Sequence, residues 1–74
     1  MILFDDIDKK FVEIKSLGYG VTVEFWHGLN REPKGVLFYK FKGDVEFDIN
    51  QWTENKGMMV LHAPEGERIQ FWVF

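Results

Sequence analysis

Residues 35–49 carry two short runs in which large apolar side chains recur at every second position, and this alternation constrains the fold more than any other feature of the chain. Leu37, Tyr39 and Phe41 form the first run and Val45, Phe47 and Ile49 the second, with Lys42, Gly43 and Asp44 between them. Period two is the signature of a strand with one buried face. A three-residue turn at 42–44 sets Phe41 opposite Val45, Tyr39 opposite Phe47 and Leu37 opposite Ile49, so that all six share a face. A two-residue turn at 43–44 would set Lys42 opposite Val45. The expected unit is therefore a hairpin, with Lys40 facing Glu46 across its other side.

Around this hairpin the sequence predicts a single α+β domain over residues 1–74. Asp5, Asp6 and Asp8 suit the start of a helix, where carboxylates meet free backbone N–H groups and the positive end of the dipole. Ile7, Phe11 and Ile14 recur at helical spacing, so the spacing predicts a helix over 6–17 with Gly18 as its stop. Further strands are expected over 21–26, 58–63 and 68–74, with a polar connection at 27–34 and a loop or single helical turn, capped by Asn50, at 50–57. The predicted architecture is an N-terminal α-helix packed on a five-stranded antiparallel β-meander, with strong coiling or barrel-like closure as a variant. Parity gives one face Val21, Val23, Phe25, the six hairpin residues, Met58, Val60, Ile69, Phe71 and Val73.

The other face mixes charged residues with Trp26, Phe38, Met59, Leu61, Trp72 and Phe74. Three arrangements account for that apolar excess. The sheet closes into a small barrel, residues 1–4 and Trp52 fold over it, or the patch stays open and meets another chain.

Length and composition narrow the function classes. At 74 residues the chain is near the size at which one core barely offsets ordering entropy, and eight Phe, three Trp and two Tyr supply the compensation. With no cysteine there is neither a disulfide framework nor a thiolate metal site, and a reducing, cytoplasmic location is the expectation. The N-terminal run lacks the basic residues of a secretory leader, and no apolar stretch approaches the roughly 20 residues that span a bilayer, so no membrane role is expected. A net charge of −3 offers no general attraction to nucleic acid.

Catalytic supply is poor: one serine, two threonines and two imidazoles. His27 is expected as a surface imidazole and His62 as one hydrogen-bonded near the sheet edge, neither in a ligand pattern that would hold a metal. Glu46 and Asp48 could pair as carboxylates, but a charge ladder with Lys40 is the simpler account. Gly18, Tyr19 and Gly20 lie between helix and strand in the reverse of the phosphate-loop order. No catalytic residue, metal or cofactor is therefore predicted.

One layout likeness exists. A short helix followed by five strands, with Gly35, Val36 and Leu37 after Gly28, resembles in order the first signature of Sm-like RNA-binding barrels. Lys42 and Gly43 stand where that signature has an acidic residue, and the binding-loop asparagine has no counterpart. The resemblance would imply ring oligomers and single-stranded RNA.

The expected function is a small non-enzymatic interaction module, an inhibitor, adaptor or accessory factor, that presents an aromatic sheet surface to a protein partner or to its own copy. Trp26, Phe38, Trp72 and Phe74 are the expected anchors, with Arg31 and Lys34 on the rim. The alternative is a small β-barrel that binds single-stranded nucleic acid through Arg31, Lys34, Lys40 and Lys42, with nearby rings stacking on bases.

Overall fold

The computed structural model describes residues 8–74, and over that span the chain is all-β. Six strands occur in the order β1 (Lys10–Lys15), β2 (Val21–Trp26), β3 (Val36–Lys40), β4 (Asp44–Glu46), β5 (Lys56–His62) and β6 (Arg68–Val73). A single 3-10 turn at Ile49–Gln51 precedes β5, with Asp48 rather than Asn50 as its cap. The strands make two three-stranded antiparallel sheets, β1-β6-β3 and β2-β5-β4. The inner faces of these sheets enclose Val12, Phe25, Met59, Leu61, Ile69, Phe71 and Val73, the arrangement of a small sandwich. The sheets are not closed into a barrel.

The α+β expectation is therefore overturned. The part of the predicted helix that falls on described residues is strand β1, and its start at Asp6 and Ile7 lies outside them. The helical stripe drawn through Phe11 and Ile14 leaves out Val12, which is buried, while Phe11 is exposed. Two β-branched residues at Val12 and Ile14 favour an extended segment, and a helix of about twelve residues is marginal without strong packing. What decides the matter is β6. Its backbone pairs with β1 on one side and β3 on the other, from Lys10 opposite Val73 to Lys15 opposite Arg68, and from Val36 opposite Val73 to Lys40 opposite Gln70. A helix in place of β1 would leave one side of this buried strand without partners.

The meander is overturned with it. Strands are found close to where alternation puts them, but consecutive strands rarely pair. Every connection except that from β4 to β5 crosses from one sheet to the other. β3 and β4 thus lie in different sheets, and the predicted facing of Lys40 and Glu46 does not occur: Lys40 is opposite Gln70, and Glu46 is opposite Val60. Gly43 turns that corner at φ 133°, where a Cβ would stand 2.8 Å from the His62 carbonyl oxygen, a position open to glycine alone. The Sm-like layout of a helix and five barrel strands is likewise absent from the described residues.

Crossing also inverts parity in two strands. In β5 the inward residues are Gly57, Met59 and Leu61 rather than Met58 and Val60. In β3, Leu37 and Tyr39 face outward while Phe38 packs against Phe71, their ring centroids 5.8 Å apart. Parity in β2 and β6 is as the sequence predicts, with Phe25, Ile69, Phe71 and Val73 buried.

Trp52 seals one end of the core. Only 4% exposed, it meets Phe25 edge to face at 5.0 Å and donates its indole N–H to the Met58 carbonyl at 3.0 Å. It lies between the sheets and is not a lid on an outer face; residues 1–4, the other part of that expected cover, lie outside the described span.

Ser16 fastens the opposite end. Its buried hydroxyl donates to the Ala63 carbonyl at 2.9 Å and accepts from the Gly18 N–H at 3.1 Å, tying the β1–β2 corner to the β5–β6 corner. Ser16→Ala leaves both partners unsatisfied and should cost about 1–3 kcal/mol, read as a lowered urea midpoint at unchanged m-value.

Candidate functional site

The outward residues of the first sheet form a face divided into an apolar half and a cationic half. Phe11, Trp72 and Leu37 stand in one register row across all three strands. Tyr39 occupies the irregularity between Phe38 and Lys40 that shifts the β3 register, which brings its ring to the same side. Phe11 meets Trp72 at 4.8 Å and Tyr39 at 6.4 Å, both edge to face, and the three rings line a shallow depression of about 360 Å³. Leu37 is 50% and Tyr39 70% exposed, so a contiguous apolar patch is open to solvent where polar residues would cost nothing.

Cations flank this patch. The Lys9 ammonium lies 5.5 Å from the Trp72 ring centroid, over its face. Lys15 is directly opposite Arg68, and Lys40 is opposite Gln70. Opposed like charges on neighbouring strands weaken the pairing by up to about 1 kcal/mol. The single acid in these rows, Glu13, accepts from the Gln70 amide and lies 4.0 Å from the Arg68 guanidinium, so it compensates only part of that charge. Beyond Arg68 a groove of about 460 Å³ runs along Lys40, Lys42, Gly66 and Gln70.

The outer face of the second sheet has the opposite character. Glu24 is opposite Met58, Glu46 opposite Val60, and Asp44 opposite His62. Glu46 reaches the His62 imidazole at 3.0 Å. A groove of about 310 Å³ is lined by Glu46 and Asp48 beside Met58 and Val60. Lys56, paired with Trp26, is the cation of this face.

The predicted anchors do not share a surface. Trp26 is on the second sheet, 63% exposed. Phe38 belongs to the inner side, at the rim of the core between Phe71 and Phe47. Trp72 lies in the apolar half of the first sheet's outer face. Phe74 lies at the sheet end, paired through its backbone with Gly35, where a Cβ would come within 2.7 Å of its ring. Arg31 is drawn to Asp8, donating to its carbonyl at 3.2 Å with a carboxylate oxygen at 3.8 Å, and the Lys34 N–H donates to the Phe74 carbonyl. Arg31 and Lys34 are therefore at the opposite end of the sheet from Lys40 and Lys42, which breaks the predicted basic cluster in two.

His27 is not the expected surface imidazole, whereas His62 is hydrogen-bonded, to Glu46. His27 is 2% exposed; its Nε2 is 3.0 Å from the Thr53 carbonyl and its Nδ1 accepts from the Leu29 N–H at 3.2 Å. The Thr53 contact, with the His27 N–H donating to the Asn55 carbonyl and the Asn30 N–H to the Asn55 side-chain oxygen, holds the 27–30 segment against the 53–55 segment. His62 faces outward. Among the described residues no three His, Cys, Asp or Glu side chains gather as a metal-binding group.

Phe11, Leu37 and Tyr39 were not foreseen as surface residues. The missing signal was the strand nature of β1: alternation of Val12 and Ile14 with Phe11, Glu13 and Lys15 puts Phe11 on the outer row at once.

No family model, curated protein or solved structure matches the chain. Among the described residues no helix is long and apolar enough to cross a membrane.

The two tryptophans on either side of the second sheet separate surface from core. Trp52→Ala should cost about 3–5 kcal/mol. Trp26→Ala should cost less than about 1 kcal/mol. Urea titrations of the two variants, followed by far-ultraviolet circular dichroism, check the contrast.

Proposed function

We propose that the protein is a small interaction module whose docking surface is the outer face of the first sheet. Phe11, Leu37, Tyr39 and Trp72 are its apolar contacts and Lys9, Lys15, Lys40 and Arg68 its charged rim. The observation that carries this reading is the unbroken row from Phe11 through Trp72 to Leu37, with most of its cations held within the same sheet. Aromatic side chains supply large contact area at small entropic cost, and burying exposed apolar surface yields about 25 cal/mol per Å². The cationic rim favours an acidic partner and speeds its approach.

A nucleic-acid strand also answers to rings and cations. The geometry favours protein. Base stacking needs open ring faces, whereas Phe11 packs edge to face with both its neighbours and Lys9 lies over the Trp72 face. Leu37, half exposed in the same row, adds an aliphatic relief to which side chains conform better than planar bases do.

Selection of displayed random peptides on the immobilised protein should return sequences rich in Asp and Glu with interspersed Leu or Phe. The Leu37→Ser/Tyr39→Ser double variant should lose that binding by about tenfold or more while keeping its circular dichroism spectrum. Trp72→Ala should weaken binding similarly, with its sheet signal intact. Peptides indifferent to all three changes would remove the proposed surface. Tight binding of labelled oligo-dT or oligo-rU at about 20 mM salt, abolished by Tyr39→Ser, would replace the partner class with single-stranded nucleic acid.

A further inference from the structure

We infer that the acidic partner of the first sheet's outer face is the second sheet's outer face of another copy of this chain, so that copies stack head to tail. This rests on the docking surface proposed above and adds its occupant. The two outer faces are opposite in net charge, with Glu13 the one acid in the rows of the first and Lys56 the lysine of the second. One sets Lys9, Lys15, Lys40 and Arg68 around Phe11, Leu37, Tyr39 and Trp72. The other sets Glu24, Asp44, Glu46 and Asp48 around Met58, Val60 and Trp26. They lie on opposite sides of a body with Cα extents of 37 × 23 × 15 Å. Its broad faces are large enough for the roughly 800 Å² per partner that a standard interface buries.

Charge complementarity selects this pairing over the two symmetric ones. Placing two first-sheet faces together brings two net-positive surfaces into contact, and placing two second-sheet faces together brings two net-negative ones into contact. Like charges brought together at an interface cost several kcal/mol, whereas the mixed pairing neutralises both sets. The apolar content fits as well. Met58 and Val60 are outward on β5, and Met58 is 39% exposed; flexible thioethers pack favourably against aromatic edges. Because different faces meet, a pair of copies still has one free first-sheet face and one free second-sheet face, and assembly grows beyond a dimer unless the rotation between copies closes a ring.

Reversal of charge on one face at a time tests this directly. Sedimentation velocity of the unaltered protein should show a weight-average coefficient that rises with concentration and falls when salt is raised from about 20 to about 500 mM. Lys40→Glu/Arg68→Glu makes both faces acidic, and Glu24→Lys/Glu46→Lys makes both basic. Each double variant alone should sediment as a monomer, and an equimolar mixture of the two should regain association. All four side chains are exposed, so the variants should keep the parent circular dichroism spectrum. A monomer at every concentration and salt, a closed dimer that persists in both variants, or a mixture that does not associate would overturn the stacking. If the unaltered monomer still binds selected acidic peptides in a Tyr39-dependent way, the docking surface stands and only its occupant is wrong. If that binding is absent too, both fail.

Discussion

Burial of β6 as a central strand is the constraint on which the rest of the structure depends. Ile69, Phe71 and Val73 are wholly inaccessible, and a strand sunk that deeply must have its backbone donors and acceptors met on both edges. β1 meets one edge and β3 the other. Once β6 recruits both, the second sheet must cover the inner faces of all three, and β5, with Met59 and Leu61 fully buried, becomes the central strand there. Phe71 is the meeting point, touching Phe25 of the second sheet at 5.1 Å and Phe38 of its own sheet at 5.8 Å.

The same architecture creates the candidate surface. A two-layer sandwich of this size has two inner faces to fill and two outer faces to solvate, and this chain has more aromatic residues than the inner faces accept. The surplus is not scattered. Phe11, Leu37, Tyr39 and Trp72 gather on one outer face, where they are joined by cations that include the opposed pair Lys15 and Arg68. The acids gather on the other. A folding requirement accounts for neither the apolar row nor the opposed like charges, since polar residues there would leave the core untouched. Their coincidence on one side supports a role in contact with another molecule.

Polar groups at the two ends of the sandwich serve a different purpose. Ser16 at one end and His27 with Trp52 at the other turn connections into fixed corners by saturating carbonyl and amide groups that the sheets leave over. Reading His27 as a surface residue failed because a loop position says nothing about depth. The 27–30 and 53–55 segments close over the core end together, and only their pairing buries the imidazole.

Alternation along the chain was enough to locate strands at 21–26 and 68–73 and, within two residues at either end, those near 36 and 56, because period two follows from pleat geometry alone; the strand at 44 ends at Glu46, three residues before the predicted run through Ile49. It also settled which side of β2 and β6 is buried. Tertiary structure decided everything that depends on partners. Segment 10–15 has apolar residues compatible with either period, and only the empty edge of β6 makes it a strand. Residues 36–40 and 56–62 have apolar side chains on both sides, so their inward faces were chosen by the sheet they joined and not by their own pattern. For that reason the surface residues could not be sorted from the core ones in advance: membership of a face follows from pairing, and pairing here links strands far apart in the sequence.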